Sequence, residues 1–260
     1  MPPRTSRLAV VTASTNPARA EAAVRSWQAH ALFDWPLFVV VNGRAWSPDD
    51  ATALEVTATW ITTGEYHGVV PAFAIGLHAA LDQTSAEVIA CLHDDVTIDE
   101  DGWDATVLDH FETHPACGLA GFGGALSLGH PQIYQIPYDP MQLARGDFRS
   151  NLRNAEVHGA RTTERQRVAC LDGFSQIGRR AFWEGRRQRE VVGVGGRAAG
   201  NLFVQMQAWG VVHHYYDGIL GCFAARLGWE AWLIPVGCFH AGGQTAVADT
   251  GYQQWARRQV

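Results

Sequence analysis

The chain contains no lysine, and all 20 of its basic residues are arginine. Abundant Ala and Gly accompany this bias, a combination typical of a GC-rich genome, so the arginines are weak evidence for phosphate recognition. Acidic residues number 26, which gives a formal net charge of −6. This charge argues against a surface built to hold duplex DNA, although it leaves open a nucleic-acid acceptor at one local basic patch.

Cysteine pairs with metal-ligand spacing are also missing. The 5 cysteines include no CxxC pair, which argues against a zinc motif, and their odd number argues against a disulfide framework. They are Cys91, Cys117, Cys170, Cys222 and Cys238. Most lie within apolar runs, so we predict buried free thiols in a reducing cytoplasm.

Long apolar runs are absent as well. No stretch approaches the roughly 20 apolar residues that a membrane helix needs. The apolar run near the N-terminus ends at Thr12 and is too short for the core of a signal peptide. We therefore expect a soluble, cytoplasmic protein.

The first half of the chain alternates between short apolar runs, which are typical of buried strands, and stretches with helical spacing. Strands are predicted at 8–13, 37–41, 55–62 and 88–92, and helices at 18–32, from about 47, and at 70–81. This alternation predicts a mainly parallel sheet with crossover helices. In such sheets the ligand site lies at the carboxyl ends of the strands, so this half is typical of nucleotide binding.

The second half is less regular. Helices are predicted at 103–114, 179–184 and 217–228, strands at 118–124, 168–178 and 232–236, and irregular segments at 129–165, 186–200 and 239–250. We interpret the segment at 129–165 as an insertion or an acceptor-facing loop, because structureless loops of this length are usually functional or mobile. No internal repeat or clean linker interrupts the chain, which favours a single domain.

A first candidate site follows the strand at 88–92, where Asp94 and Asp95 come directly after His93. Two carboxylates at the end of a buried strand are unfavourable unless a cation or hydrogen-bond donors compensate. Hard divalent cations such as Mg²⁺ or Mn²⁺ take oxygen ligands from one or two carboxylates and from substrate phosphates. A diphosphate–metal clamp is one interpretation; a solvated acidic turn that continues through 99–101 is the other.

Two weaker candidate sites lie in the second half. Asp172 and Gly173 separate two apolar strands, where the carboxylate could accept a hydrogen bond from a sugar hydroxyl, or the pair could simply form a hairpin turn. Asp217 opens a predicted helix and His240 follows a predicted strand. Each also has a structural interpretation, since Asp is a common helix cap. Imidazole nevertheless suits a Mn²⁺-type site that carboxylates complete.

The order and spacing of these motifs resemble the family 2-like glycosyltransferases, in the branch whose strand-end motif is His-x-Asp. The matching blocks are 92–96 (LHDDV), 171–180 (LDGFSQIGRR), 214–217 (HYYD), 228–229 (GW), and Pro235 followed by His240. The resemblance covers nearly the whole chain, but only these short blocks are specific. It implies the GT-A fold, an α/β, Rossmann-like architecture with a mainly parallel central sheet, flanking helices and a small antiparallel extension.

The resemblance also assigns roles to individual residues. It implies that Asp95 and His240 bind a divalent cation, Mn²⁺ or Mg²⁺, that Asp217 is the general base, and that Asp172 lies near the transferred sugar or the acceptor. The residues implied to line the nucleotide-sugar pocket are Thr12, Ser14, Asn42, His93 and Asp94. Many relatives carry Asp where this chain has His93, a departure that bears on contacts with the ribose.

The expected activity is metal-dependent transfer of a sugar from a nucleoside-diphosphate sugar to an acceptor hydroxyl, with inversion. Residues 1–98 would form the nucleotide-sugar-binding half and 99–260 the acceptor-binding, catalytic half of one GT-A domain. A nucleotidyltransferase is an alternative, although residues 14–17 lack the glycine-rich, basic loop expected after its first strand. A non-catalytic nucleotide-sugar-binding protein is another. The acceptor, whether a glycan, lipid-linked glycan, protein or modified nucleic acid, stays open.

Overall fold

The computed structural model describes residues 6–43, 56–127, 148–154, 159–188, 201–213 and 216–242. The predicted helix that starts near residue 47 lies outside these ranges. So do residues 129–147 and 155–158 of the predicted insertion, most of the segment at 186–200, and residues 243–250 of the last predicted loop.

Fourteen strands and six helices are named within the described residues. The strands are β1 (Leu8–Ser14), β2 (Leu37–Val41), β3 (Thr59–Thr62), β4 (Val88–Leu92), β5 (Val96–Ile98), β6 (Cys117–Gly121), β7 (Gly123–Ala125), β8 (Phe148–Ser150), β9 (Ala160–Arg161), β10 (Gln166–Val168), β11 (Cys170–Leu171), β12 (Ser175–Arg179), β13 (Glu230–Leu233) and β14 (Cys238–His240). The helices are α1 (Pro17–Ala29), α2 (Val69–Gln83), α3 (Trp103–Thr113), α4 (Arg180–Trp183), α5 (Leu202–Ala208) and α6 (Tyr216–Leu227).

The predicted α/β fold class is confirmed by the sheet topology. Eight strands form the central sheet in the order β10-β13-β6-β12-β4-β1-β2-β3. The pairs β4–β1, β1–β2, β2–β3 and β6–β13 are parallel, whereas β12 runs antiparallel to both of its neighbours. A second sheet, β11-β7-β8-β9, provides the smaller extension, in which two of the three pairings are antiparallel.

Helices cover both faces of the central sheet, which explains why its strands β2 and β4 are apolar without interruption. Along β1, Leu8 and Val10 face the layer that contains Trp27 of α1 and Trp103 of α3. Their neighbours in the strand face the opposite layer, which contains residues of α2, α5 and α6. Alternate side chains of one strand therefore supply two separate cores.

The cysteines are free thiols, as predicted. Cys91, Cys117 and Cys238 are buried, Cys170 is partly buried, and Cys222 on α6 is exposed. Burial raises the pKa of Cys170 to about 11, which keeps its sulfur protonated at neutral pH.

The prediction of a loop at 239–250 is wrong at its start. Cys238–His240 forms strand β14, which pairs antiparallel with β5 so that His240 lies opposite Val96. The strand has alternating buried and exposed side chains, but three residues are too few for that period to stand out in the sequence. Likewise, the segment at 129–165 contains the short strands β8 and β9.

Two adjacent arginines, Arg179 and Arg180, bind the carboxyl-terminal ends of two helices. Arg179 donates to the backbone carbonyl groups of residues 111 and 114 at the end of α3, and to that of residue 117 at the start of β6. Arg180 donates to those of residues 81, 84 and 86 at the end of α2. A cation at a helix C-terminus satisfies carbonyl groups that lack helical partners. These two members of the arginine-rich segment thus serve the fold.

Candidate metal centre and active site

The candidate site lies at the end of β4, beside the small sheet that β5 and β14 form. β4 is followed by a tight turn, in which the Val96 amide donates to the His93 carbonyl at 3.3 Å. The Ala241 amide donates to the Asp95 carbonyl at 3.0 Å, which extends the β5–β14 pairing by one step. This pairing brings His240 next to Asp95, although 145 residues separate them in the sequence.

Three potential metal-ligating side chains meet at this point. His93, Asp95 and His240 each offer one ligand atom, and these atoms lie within 4.8 Å of one another. The Asp95 Oδ1 atom lies 3.4 Å from His240 Nε2 and 3.8 Å from His93 Nδ1. The predicted ligands Asp95 and His240 are thus adjacent, and His93, predicted to contact the donor, joins them.

The residues present fit a divalent cation. Asp95 Oδ1 is buried and has no hydrogen-bond partner within standard distance among the residues that the structure describes. A buried carboxylate oxygen in that position is unfavourable unless a cation faces it. One carboxylate and two imidazoles form a donor set that suits Mn²⁺ and neighbouring transition metals better than Mg²⁺, which prefers oxygen ligands.

The charges within this cluster also suit a cation. Burial alone would raise the pKa of Asp95, but the close approach of the His240 and His93 imidazoles outweighs it and lowers the pKa to about 2. Burial lowers the pKa of His93 to about 4, so its ring is neutral near pH 7. For His240, burial is outweighed by the carboxylates of Asp95 and Asp172, and the pKa is raised. Asp95 is therefore ionised, as a metal ligand must be.

Asp94 has different partners from Asp95. Its Oδ2 atom accepts hydrogen bonds from the Ser14 hydroxyl and, at 2.8 Å, from Arg19 Nε. Burial raises the pKa of Asp94, and the charge of Arg19 opposes that rise. The two carboxylates were interpreted together as a clamp, but only Asp95 joins the histidines. Asp94 connects the end of β4 to the start of α1.

Asp172 and Gly173 form a turn between β11 and β12, where the sequence also allowed a hairpin. The Asp172 carboxylate accepts from the Phe174 amide at 3.2 Å, and its carbonyl accepts from Gln176 Nε2 at 2.9 Å. These bonds fix the turn. The Gly173 carbonyl in turn accepts from the Tyr216 hydroxyl at 2.9 Å, so the close approach that glycine permits here is that of Tyr216.

Asp217 lies in the first turn of α6, one residue after the helix begins at Tyr216. Its Oδ1 atom accepts from the adjacent Gly218 amide at 2.8 Å. Burial, together with the negative charge of Asp172, raises the pKa of Asp217 to about 6. A carboxylate with this pKa can accept a proton at neutral pH more readily than an ordinary aspartate can.

The remaining predicted pocket residues lie at the ends of β1 and β2. Thr12 is buried, and its hydroxyl has no hydrogen-bond partner within the described ranges. The side-chain oxygen of Asn42 accepts a hydrogen bond from the His67 backbone amide at 3.0 Å, and its side-chain nitrogen donates to the Gly68 carbonyl at 3.1 Å. Asn42 therefore holds the segment that enters α2. The contact of these side chains with a nucleotide stays a prediction.

Three features of the site were not predicted from the sequence: the contact of Arg19 with Asp94, the contact of the Tyr216 hydroxyl with His93, and the position of His93 within the metal cluster. Arg19 could have been suspected, because it lies in the first turn of α1, and this helix follows directly on strand β1, whose end carries predicted pocket residues. Tyr216 directly precedes Asp217 in the block at 214–217. Its hydroxyl contacts residues 93 and 173, and only the fold reveals these contacts.

Neither a protein-family profile nor a curated protein matches the chain. Among solved structures, the chain is similar to the mannosyltransferase PcManGT from Pyrobaculum calidifontis in complex with GDP-Man and Mn²⁺, with 15% identity and a TM-score of 0.47. That match covers 99% of this chain and 62% of the mannosyltransferase. A second similar structure is CMP:2-keto-3-deoxy-manno-octonic acid synthetase complexed with CTP, with 12% identity, a TM-score of 0.46, and coverage of 98% and 100%. Likenesses of this extent assign no function.

Within the residues that the structure describes, no helix has the length and apolar character needed to cross a bilayer.

Proposed function

We propose that the chain is a metal-dependent glycosyltransferase that moves a sugar from a nucleoside-diphosphate sugar to an acceptor hydroxyl. The observation that carries the proposal is the meeting of Asp95, His240 and His93 at the end of β4, beside a turn that holds Asp172. Such strand ends are where α/β sheets bind nucleotides and their phosphates. The motif order in the sequence supports the same assignment.

In this proposal Asp95 and His240 hold a divalent cation. The cation, when bound, neutralises charge on the leaving diphosphate. Asp94 keeps its structural contacts with Ser14 and Arg19, and so holds the strand end from which Asp95 projects. The guanidinium of Arg19 lies close enough to favour the ionised form of Asp95 and adds positive charge near the proposed diphosphate position.

Asp217 is the proposed general base. Its carboxylate takes the proton from the acceptor hydroxyl while that oxygen forms a bond to the anomeric carbon. The bond between the anomeric carbon and the diphosphate oxygen breaks, and the nucleoside diphosphate leaves with the electron pair. Attack from the face opposite the leaving group inverts the anomeric centre. Burial supports this role because it raises the pKa of Asp217 towards neutrality.

The test uses a panel of nucleotide sugars with Mn²⁺ or with excess EDTA. We expect one nucleotide sugar to raise the melting temperature only when Mn²⁺ is present, because ligands stabilise the state that they bind. The same mixture should release nucleoside diphosphate, slowly with water and faster with an acceptor.

Each other outcome selects a different function. Release of pyrophosphate from a nucleoside triphosphate and a sugar would identify a nucleotidyltransferase. Binding without turnover, with any acceptor in a glycan, lipid-linked glycan, protein and RNA panel, would identify a binding protein. Equal stabilisation and turnover in EDTA would contradict the metal-dependent mechanism.

A further inference from the structure

The Tyr216 hydroxyl connects the candidate metal cluster to the turn at 172–173. It lies 2.7 Å from His93 Nε2 and 2.9 Å from the Gly173 carbonyl oxygen. Tyr216 is buried in the first turn of α6, so water has little access to compete for these contacts. The hydroxyl therefore bridges one ring nitrogen and one carbonyl oxygen.

Counting protons fixes the direction of both bonds. A tyrosine hydroxyl has one hydrogen, and a carbonyl oxygen can only accept. The hydroxyl must donate to Gly173, so it can only accept from His93, and His93 must carry its proton on Nε2. In the neutral imidazole the other nitrogen, Nδ1, then keeps a free lone pair.

That lone pair belongs to the nitrogen that faces the cluster. His93 Nδ1 lies 3.8 Å from Asp95 Oδ1, the oxygen that also lies 3.4 Å from His240 Nε2. A lone pair and a carboxylate oxygen repel each other unless a cation lies between them. The ring is held in place on its other side by Phe73, which stacks on it at 5.8 Å.

The position of the Tyr216 hydroxyl is itself determined by Gly173. A Cβ atom at residue 173 would lie 2.2 Å from the Tyr216 oxygen, closer than real Cβ contacts come. Glycine is therefore needed for the hydroxyl to reach the carbonyl. The Asp172 side chain and Gln176 fix the turn, so the acceptor does not move away from the hydroxyl.

We propose that Tyr216 is a positioning residue that holds His93 in the Nε2-protonated form and thereby makes His93 the third ligand of the metal, through Nδ1. The inference rests on the proposed function for the presence of the metal. It adds that the residue beside the proposed base selects the tautomer of a ligand. Partners of ligating histidines commonly act in this way.

The test compares Mn²⁺ affinity in the parent, Tyr216→Phe and Tyr66→Phe by calorimetry on the protein without nucleotide. Tyr66 is a matched control because its hydroxyl also lies 3.3 Å from a histidine nitrogen, that of His213, which is not part of the three-residue cluster. We expect Tyr216→Phe to weaken Mn²⁺ binding by about 10- to 100-fold. Tyr66→Phe should bind as the parent does.

A double-mutant cycle shows whether Tyr216 acts through His93. With His93→Ala as the second change, adding Tyr216→Phe should cost no further Mn²⁺ affinity. Equal and additive losses, or parent-like affinity in Tyr216→Phe, would overturn the inference while leaving a metal site at Asp95 and His240. A parent that binds no Mn²⁺ would instead remove the metal from the proposed function, and the inference with it.

A measurement on the parent alone covers the case in which Tyr216→Phe does not fold. Long-range ¹H–¹⁵N correlation spectra of the histidine-labelled, metal-free protein report which ring nitrogen carries the proton. We expect His93, assigned by its absence from His93→Ala spectra, to be protonated at Nε2 only, and addition of Zn²⁺ as a diamagnetic probe to shift the Nδ1 resonance. A proton on Nδ1 would overturn the inference.

Discussion

Two pairs of histidines lie in different parts of the molecule, and their ring nitrogens face different groups. His93 and His240 meet edge to face at 6.1 Å, with the Asp95 carboxylate between them and the Tyr216 hydroxyl behind. Near the end of α3, His110 and His114 stack at 4.3 Å. His110 is fully buried, and neither of its ring nitrogens has a hydrogen-bond partner in the described part of the chain.

Burial lowers the pKa of one histidine in each pair, yet only one pair is a candidate site. It lowers the pKa of His93 to about 4 and that of His110 to about 3, for the same main reason. His110 and His114 pack against the ring of Trp232, at 5.2 and 4.7 Å. Among the described residues, no carboxylate joins these two histidines in a group of potential metal ligands. A perturbed pKa alone is therefore a weak guide to function, and the groups that contact the imidazole ring distinguish a candidate metal ligand from a structural histidine.

The largest expected effect tests this contrast directly. Asp95→Asn removes the charge that faces the two imidazoles while keeping the shape of the side chain. We expect sugar transfer at saturating donor to fall by about a thousandfold, because a bound metal contributes several kcal/mol to stabilising the transition state. Turnover and Mn²⁺ titration on one preparation measure it.

His110→Phe is the matched change in the other histidine pair. It replaces a buried ring of similar size, and the folded variant should transfer sugar at the parent rate. Parent activity in Asp95→Asn would contradict the catalytic role assigned to the His93 and His240 pair. Loss of activity in folded His110→Phe would contradict the structural role assigned to the His110 and His114 pair.

A second effect concerns Asp217, on the helix that also carries Tyr216. Asp217→Asn keeps the hydrogen bond from Gly218 but cannot accept a proton at neutral pH, so transfer should fall by about 10²-fold or more. Melting temperature and donor affinity should stay close to the parent values. Parent-like turnover in the Asn variant would leave Asp217 a structural residue and direct the search for a base to Asp172.

The parent should also show the titration of this base. A base acts when deprotonated, and the pKa of Asp217 is raised to about 6. Activity should therefore be full above that pH and fall about tenfold per unit as the pH drops below it. The measurement is kcat/KM from pH 5 to 8 at constant metal, in which a profile flat across pH 6 would contradict the assignment.

The smallest effect is on stability and belongs to His110. Its folded pKa of about 3 lies below the unfolded value of 6.5, so below about pH 6.5 the unfolded chain binds the proton more readily. The contribution of His110 makes the free energy of unfolding decrease as the pH falls, by up to about 1.4 kcal/mol per unit. Urea unfolding at pH 7 and 5 measures it.

His110→Phe should flatten this dependence, whereas the change His78→Gln at an exposed histidine of α2 should leave it unaltered. If His110→Phe lost as much stability as the parent between pH 7 and pH 5, groups other than His110 would be responsible for the pH dependence.

The strand ends that carry Asp95 and Asn42 could be predicted from the sequence, because apolar runs mark buried strands and the carboxyl ends of parallel strands converge. The joint role of Asp95 and His240 came from the resemblance of the motifs to a known family, and not from the strand pattern. The directions of Asp94 and Asp95 could not be predicted. The contacts of Asp94 with Ser14 and Arg19 form only when β1 pairs with β4 and α1 packs against β1 and β5.

Other parts of the site depend on contacts between distant segments. Strand β14 is three residues long and is defined by its pairing with β5, not by a sequence period. The sequence places Tyr216 directly before Asp217, but nothing in its neighbours reveals that its hydroxyl reaches residue 93. Its role follows from the close approach to Gly173, which is a property of the packed structure.

Arg179 and Arg180, at the end of β12 and the start of α4, also bear on how the protein unfolds. Strand β12 lies between β4 and β6, and Arg179 and Arg180 bind the ends of α3 and α2, helices that cover opposite faces of the sheet. Freeing β12 would therefore release both layers at once and leave the edge of β4 without its partner. We therefore predict that the boundary between residues 98 and 99 is not a point of mechanical weakness and that the two halves unfold as one cooperative unit.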